Sequence, residues 1–146
     1  MTVTIRQMDA ADAMAIKRQA SQRVQLGLEA QMTLESAQDL VDAGEAWTAT
    51  AGGRIVAVFG IGEQFAGVQG VAWAILAEAV GAAHLAITRF ARARIAASPL
   101  VRIEAIVHAE RKADRKWAEL VGLRLRTELP KFGALSEPHL MFDRIA

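Results

Sequence analysis

Few side chains in this sequence could carry out acid–base, nucleophilic or metal chemistry. The chain has three His, no Cys and no Tyr, which excludes a cysteine nucleophile, a thiolate metal site and a tyrosine general acid. His84, His108 and His139 are scattered, and no cluster of Asp, Glu and His has metal-ligand spacing, so we predict no metal site. The G-x-S-x-G nucleophile elbow and the Walker phosphate loop are also absent.

His108 is the histidine whose position favours chemistry. It ends an alternating, strand-like segment, residues 102–108, and lies on the same side of it as Arg102 and Glu104. A neutral imidazole accepts protons near neutral pH, so His108 could take the proton of an amine substrate bound beside it. The alternative is an exposed strand-end histidine without a catalytic role.

A glycine-containing turn at residues 78–83, with the sequence EAVGAA, is a candidate anion site. It lies between an apolar strand-like segment and a helix-like segment. The first backbone N–H groups of a helix lack intrahelical partners, and the helix dipole favours negative charge beside them. Glu78 places a negative charge at the start of this turn.

Composition limits the remaining possibilities. The 146 residues are 53% hydrophobic and 23% charged, which suits one folded domain over 1–146 and excludes a disordered chain. Their net charge of +1 argues against nucleic-acid binding through a broad basic surface. The apolar region 71–87 is interrupted by Glu78 and His84, so we predict no membrane span. The N-terminus lacks a signal-peptide pattern, which favours the cytosol, or packaging from a cytosol.

The periodicity predicts the element order β-α-α-β-β-β-α-β-α-β-β in a mixed sheet with helices on both faces. Gly52-Gly53 predicts a two-residue hairpin turn, and the apolar segment after it a central strand. Residues 21–32 are ambiguous and favour a helix. The predicted strands are 2–8, 46–51, 54–61, 68–76, 102–108, 123–129 and the region of 140–142; the predicted helices are 10–18, 33–44, 82–97 and 113–121.

The pattern also predicts which helix side chains face the core. Helix 82–97 should direct Leu85, Ala86, Phe90 and Ala93 inward, and Ser98-Pro99 should end it. In helix 113–121 the predicted inward residues are Trp117, Leu120 and Val121. The three tryptophans are interpreted as core residues rather than ligand-stacking platforms.

This order resembles the GNAT superfamily of N-acetyltransferases over nearly the whole chain. The turn at 78–83 is similar to the family's Q/R-x-x-G-x-G/A pyrophosphate loop, with Gly81 and Ala83 matching and Glu78 departing. The segment 113–123, which ends in Gly122-Leu123, resembles the helix that ends in Gly-Phe before the family's sixth strand. Ala118 stands where the family often has its Tyr general acid.

The resemblance implies a GNAT-type α/β fold, a mixed, mostly antiparallel sheet of about seven strands splayed between its fourth and fifth strands, 68–76 and 102–108. It implies acyl-CoA-dependent acetyl transfer to an amine, with acetyl-CoA as the donor. It also implies His108 or Glu63, a carboxylate after the central strand, as the catalytic base. The implied acetyl-CoA-binding residues are Ile75, Leu76, Ala77, Gly81, Ala82 and Ala83.

Two other functions stay open. The chain also resembles GNAT-like internal virion proteins of tailed bacteriophages, which implies a catalytically degenerate protein acting as a virion or interaction component. The third possibility is an α/β domain that binds another small ligand. The expected partner of an enzyme is a small-molecule or protein amine, and a homodimer or a virion partner is left open.

Basic residues on two predicted helices could form a rim that binds the 3′-phosphate of CoA or an acidic partner. The alternative is a solvated helix face. These basic residues are Arg89, Arg92, Arg94, Arg111, Lys112, Arg115 and Lys116.

Overall fold

The computed structural model describes residues 2–19, 24–25, 28–29 and 32–146. No helix in these residues is long and apolar enough to cross a membrane. Their helices and strands are β1 Val3–Gln7, α1 Ala10–Met14, β2 Val24–Gln25, β3 Leu28–Glu29, α2 Leu34–Asp42, β4 Gly44–Ala51, β5 Arg54–Phe65, β6 Gln69–Leu76, α3 Ala83–Ala97, β7 Arg102–His108, α4 Lys112–Leu120, β8 Arg124–Phe132 and β9 Glu137–Ile145.

Seven of the strands form one mixed sheet in the order β1-β4-β5-β6-β7-β9-β8. Neighbouring strands are antiparallel except β6 and β7, which are parallel and joined by the crossover helix α3. These two strands pair at three positions, from Gln69 opposite Arg102 to Val71 opposite Glu104. The predicted mixed sheet, its splayed fourth and fifth strands and the α/β class are confirmed.

Local sequence signals place several element ends where they were predicted. Gly52 and Gly53 have φ angles of 56° and 76°, which a two-residue hairpin turn requires and glycine adopts without strain. Thr33 begins α2 in a capping box, because its hydroxyl accepts the Ser36 N–H at 3.1 Å and Ser36 Oγ accepts the Thr33 N–H at 3.0 Å. Helix α3 ends at Ala97, directly before Ser98-Pro99.

Apolar side chains pack on both faces of the sheet, which confirms the predicted helices on both sides. Helices α1 and α2 contribute Ala13 and Ala37 to a cluster with Val58 of the central strand β5. Helices α3 and α4 cover the opposite face in two clusters that contain Ile87 and Phe142.

The predictions for the region after β1 are partly wrong. Helix α1 ends at Met14 rather than near residue 18, and a short stretch after it pairs with the end of β6. Of residues 21–32, favoured as a helix, Val24–Gln25 and Leu28–Glu29 instead form a two-stranded antiparallel hairpin. Residues 20–23, 26–27 and 30–31 lie outside the described residues. Helix propensity is a weak preference that backbone pairing with another segment overrides.

The inward face of α3 also differs from the prediction. Leu85 is 58% exposed, and Ala93 is exposed as well. The buried residues are Ala83, Ile87 and Ile95, which repeat every fourth or eighth position along one helix face. In α4, Leu120 is 44% exposed, whereas Val121 is buried as predicted. In α3, Phe90 packs against the core cluster of this face as predicted, so the prediction is wrong for Leu85 and Ala93 rather than for the whole face.

An ion pair between the buried Asp12 and the partly exposed Arg6 fixes α1 to the sheet. The Asp12 carboxylate accepts two hydrogen bonds from the Arg6 guanidinium, at 2.8 and 2.9 Å, and one from the Thr48 hydroxyl at 2.7 Å. The Asp9 N–H donates a fourth bond at 2.8 Å. The Arg6 hydrogen bond is the main reason that the pKa of Asp12 falls from 3.8 to about 2.

We expect Asp12→Asn to remove about 2 kcal/mol of stability at pH 7, the free-energy equivalent of this pKa shift. The folded pKa lies below the unfolded one, so this contribution is complete above about pH 5 and disappears as the pH falls towards 2. Urea unfolding at pH 7, 5 and 3 measures it. The wild type should lose more stability on acidification than the variant.

Asp9→Asn is the matched control, because the Asp9 side chain is 85% exposed. It should leave the pH dependence of unfolding close to that of the wild type. Equal pH dependence of the wild type and Asp12→Asn would contradict the assignment of the low pKa to Asp12.

Candidate functional site

A cleft opens where β6 and β7 stop pairing. Its volume is about 780 Å³, and both strands line it beyond Val71 and Glu104. Five alanines are among the residues that line it, and they leave room that larger residues would fill. These are Ala72, Ala74, Ala91, Ala105 and Ala118.

The cleft passes through the sheet from one helical layer to the other. On the side of α3 and α4 it is lined by Phe59 and Trp117, which pack in the clusters of that face. On the side of α1 and α2 it is lined by Trp73 and Met32. Two molecules approaching from opposite faces could therefore meet between the separated strands.

The three tryptophans belong to the core clusters, as predicted, and they also border the cleft. Trp47 packs edge-on against Phe90 with ring centroids 5.1 Å apart, and the Arg94 guanidinium lies 5.4 Å from the Trp47 ring centroid. Sequence alone predicted their packing role, but the opening that they border exists only after the strands separate.

Trp117 lines the cleft and connects α3 to α4. Its indole N–H donates to Thr88 Oγ1 at 2.8 Å, and its ring lies 5.0 Å from the His84 ring. Thr88 in turn donates to the His84 carbonyl at 2.7 Å. This contact holds the two helices together beside the separated strands.

A polar cluster lies at the β7 wall of the cleft and contains the predicted base. His108 Nδ1 accepts the Glu110 N–H at 3.1 Å, and His108 Nε2 lies 2.9 Å from Glu137 Oε2. The His139 ring lies 5.0 Å from that of His108, and His139 Nδ1 lies 2.9 Å from the Glu137 carbonyl oxygen. His108, Glu110, Glu137 and His139 all line the cleft.

Sequence reasoning missed Glu137 and His139. His139 lies directly opposite His108 in the antiparallel pair of β7 and β9. Side chains opposite each other in such a pair lie on the same face of the sheet. The available signal was therefore the register of two strands about 30 residues apart, which periodicity alone does not determine.

Glu63 lies apart from this cluster. Its carboxylate accepts the Gly67 N–H at 2.7 Å, in the turn that joins β5 to β6. In the sheet, Glu63 of β5 lies opposite Gly70 of β6, and Gly70 lies opposite Ile103 of β7. His108 is five residues further along β7, roughly 16 Å at the usual rise of a strand. The structure does not bring the two predicted catalytic residues together.

The three predicted acetyl-CoA contacts at the end of β6 differ in their surroundings. Ile75 lines the cleft. The Ala77 N–H donates to the Val56 carbonyl at 2.9 Å, within the sheet. The Leu76 carbonyl accepts the Gln19 N–H at 3.0 Å.

Residues 17–19 add a short strand-like segment along the end of β6. Besides the Gln19–Leu76 bond, the Glu78 N–H donates to the Lys17 carbonyl at 2.9 Å, and Arg18 forms an antiparallel bridge with Ala77. The Lys17 ammonium also lies 3.3 Å from the Glu78 carboxylate, so a positive charge accompanies the negative charge that begins the turn.

The turn at 78–83 has a glycine where its geometry requires one. Gly81 has a φ of 45°, and the position of a Cβ there would have open space, its nearest neighbour being the Ala79 carbonyl oxygen at 3.9 Å. Ala82 is exposed, whereas Ala83 is buried and its N–H donates to the Val80 carbonyl at 3.0 Å. The turn therefore has a glycine in the left-handed region just before α3, and some of its backbone N–H groups already donate hydrogen bonds within the turn.

Two of the predicted basic residues reach the cleft. Arg94 and Arg111 line it, and each also pairs with a carboxylate, Glu45 and Asp114 respectively. Arg92 instead donates to the Leu120 carbonyl at 2.8 Å and links α3 to the end of α4.

A seven-stranded mixed sheet, parted between its parallel fourth and fifth strands with helices on both faces, defines the GNAT class of fold. Solved structures agree along the whole chain. The match to Ard1 from Thermoplasma volcanium has a TM-score of 0.77 at 15% identity and covers 100% of this chain and 99% of that one. A GNAT-family acetyltransferase from Bacillus anthracis matches with a TM-score of 0.71 at 15% identity over 98% of this chain and 94% of its own.

A third structure is the acetyltransferase from Salmonella typhimurium that modifies the N-terminal serine of ribosomal protein L7/L12. It matches with a TM-score of 0.73 at 11% identity over 99% of this chain and 95% of its own. No protein-family model matches the sequence, and no curated protein is significantly similar to it. At this level of identity the likeness establishes the fold, and this chain has the GNAT fold that the sequence predicted.

We expect Thr88→Val to weaken the α3–α4 contact by about 1–2 kcal/mol, because it leaves the Trp117 N–H without its acceptor at nearly unchanged side-chain volume. Thr88→Ser is the matched control, since it retains the hydroxyl. Urea unfolding followed by tryptophan fluorescence measures both. If serine and valine cost the same, the hydrogen bond does not hold the helices together.

Proposed function

We propose that this protein is an acyl-CoA-dependent N-acyltransferase that carries an acetyl group from acetyl-CoA to an amine. The observation that supports the proposal is the cleft that passes through the sheet between β6 and β7. A thioester can enter it from the side of α3 and α4, and an amine from the side of α1 and α2. Direct transfer needs both reactants to meet at one carbon atom, and a cleft that is open on both faces of the sheet allows this.

The reaction asks little covalent chemistry of the protein. The amine nitrogen attacks the thioester carbonyl, the new C–N bond forms, the C–S bond breaks, and CoA leaves as the thiol. One proton of the amine must pass to a base or to solvent. His108, predicted as the base, lies at the cleft wall with Glu110, Glu137 and His139, and this polar cluster is the proposed site of proton transfer. Glu63 is bonded in the β5–β6 turn, so a role for it would need a water-mediated path.

The end of β6 and the turn after it are the proposed binding site for acetyl-CoA, the acyl donor. The apolar cleft would hold the acyl end and the adjoining arm of CoA, and the start of α3 would face the pyrophosphate. The proposed contacts are Ile75, Leu76, Ala77, Gly81, Ala82 and Ala83.

The acceptor is proposed as a primary amine of a small molecule or a protein. Among the structural neighbours, the Salmonella typhimurium enzyme modifies an N-terminal serine, which is an amine on a protein. On the side of α1 and α2 the cleft combines the apolar residues Trp73 and Ile106 with Glu104 and Glu137. Such a surface favours an amine that carries an apolar group.

We expect Gly81→Glu to reduce acetyl-CoA affinity at least about tenfold, because it adds a carboxylate beside the proposed pyrophosphate site. Isothermal titration calorimetry with acetyl-CoA measures this affinity directly. Gly67→Glu is the matched control: Gly67 also has a positive φ, 72°, and open space around its Cβ position, but it lies in the β5–β6 turn at the other end of β6.

The control separates backbone strain from charge at the site. Both variants should lose similar stability, and only Gly81→Glu should lose acetyl-CoA affinity. Equal affinities of Gly81→Glu and the wild type would remove the turn from the proposal. A wild type that does not bind acetyl-CoA at millimolar concentration would contradict the proposed function itself.

A second candidate is a GNAT-fold protein that has lost acyl transfer and acts as a virion or interaction component. The pairing of residues 17–19 with Leu76 and Glu78 favours the loss of transfer, because the chain itself bonds backbone groups at the end of β6. The same calorimetric titration distinguishes the two candidates.

A further inference from the structure

Two neighbouring imidazoles line the cleft, and their hydrogen bonds place the proton on a different nitrogen in each. His108 and His139 lie opposite each other on β7 and β9, with ring centroids 5.0 Å apart. In a neutral imidazole one nitrogen carries the proton and the other has the basic lone pair. The partners of each nitrogen therefore show which ring can accept a further proton from a ligand.

Both nitrogens of His108 are engaged within the protein. Its Nδ1 accepts the backbone N–H of Glu110 at 3.1 Å, so the lone pair is on Nδ1 and the proton is on Nε2. Nε2–H then donates to the Glu137 carboxylate at 2.9 Å. A second proton on His108 would have to sit on Nδ1, where it would point at the Glu110 N–H and break the hydrogen bond between them.

His139 has the opposite tautomer. Its Nδ1 lies 2.9 Å from the Glu137 carbonyl oxygen, which can only accept, so Nδ1 carries the proton and Nε2 has the lone pair. No partner of His139 Nε2 is found in the described part of the chain, and Nε2 is not fully buried. The residue is 4% exposed and lines the cleft.

We propose that His139, through Nε2, accepts the proton of the acceptor amine, and that His108 is a positioning residue that holds Glu137. This assignment rests on the proposed function. As the C–N bond forms, the amine nitrogen becomes acidic, its N–H bond breaks, and the proton passes to His139 Nε2. The imidazolium then returns this proton to solvent, and the departing sulfur of CoA takes up a proton to leave as the thiol.

The groups around His139 suit a ring that becomes transiently charged. From β7 it faces His108, and through His108 the Glu137 carboxylate lies nearby. From β8 it faces the apolar ring of Phe132, with centroids 5.5 Å apart. The Glu137 carbonyl oxygen continues to accept Nδ1–H in the protonated state, so the ring need not turn.

Two substitutions imitate one imidazole nitrogen each. His139→Asn places an N–H near the position of Nδ1 and removes Nε2. His108→Gln places an N–H near the position of Nε2, facing Glu137, and removes Nδ1. Glu128→Gln, on the exposed strand β8, is the control for loss of one carboxylate outside the cleft. The assay follows CoA thiol release from acetyl-CoA with two probe amines, phenethylamine and a short peptide with a free N-terminus.

We expect His139→Asn to lower kcat at least about 100-fold, the usual range for loss of a general base, without changing the KM for acetyl-CoA. His108→Gln should lower kcat by less than about tenfold, since it retains the donor to Glu137. Glu128→Gln should match the wild type. A large loss in His108→Gln with an active His139→Asn would overturn the assignment.

Nitrogen-15 spectra of the wild-type imidazoles test the tautomers without turnover or substitution. We expect a protonated Nδ1 in His139 and a protonated Nε2 in His108, and the reverse arrangement would overturn the inference even if His139→Asn fails to fold. A wild type that binds acetyl-CoA and acetylates a probe, with His139→Asn equally active, contradicts this inference alone. A wild type that neither binds nor transfers contradicts the proposed function, and the catalytic assignment with it.

Discussion

The separation of β6 from β7 is the constraint on which the cleft depends. These two strands lie in the middle of the sheet, yet they pair at three positions before they diverge. Backbone N–H and C=O groups away from water need hydrogen-bond partners, so an internal strand edge is costly unless something pairs with it. Residues 17–19 meet part of this need by bonding Leu76 and Glu78 at the end of β6. The same edge is where the proposed donor would lie.

Side-chain size maintains the opening that the backbone creates. Alanines from β6, β7, α3 and α4 line the cleft, and a larger residue at any of these positions would occupy part of it. The tryptophans limit it from both faces, and Trp117 is held by its bond to Thr88. The alanines thus leave space for a ligand between the tryptophan side chains that border the cleft.

Sequence reasoning succeeded where a local signal determines the structure. The Gly52-Gly53 turn, the Thr33 cap and the strand at 102–108 each depend on neighbouring residues, and each is confirmed. It failed where distant segments decide. The sheet chose the buried face of α3 and left Leu85 exposed, and backbone pairing replaced the helix favoured in part of 21–32.

The candidate site shows the same division. The turn at 78–83 is a local pattern, a glycine before a helix, whereas His108 became a candidate through the resemblance to the GNAT fold, and the roles of both stay predictions. His139 could not be singled out, since its importance comes from lying opposite His108 in the β7–β9 pair. The hydrogen bonds that distinguish the two rings involve Glu110, in the loop before α4, and Glu137, at the start of β9. Helix α4 and strand β8 separate these two residues in the sequence.

Helix α1 holds the segment that pairs with the end of β6. Asp12 fixes this helix to β1 and β4 through Arg6 and Thr48, and the chain then runs directly into residues 17–19, which pair with the end of β6. A ligand that displaced this pairing would have to move a segment attached to a firmly held helix. Because only two residues, Ala15 and Ile16, separate Met14 from that segment, such a movement would also disturb the contacts that hold α1 to the sheet. The pairing of residues 17–19 with the end of β6 therefore depends on how firmly α1 is held.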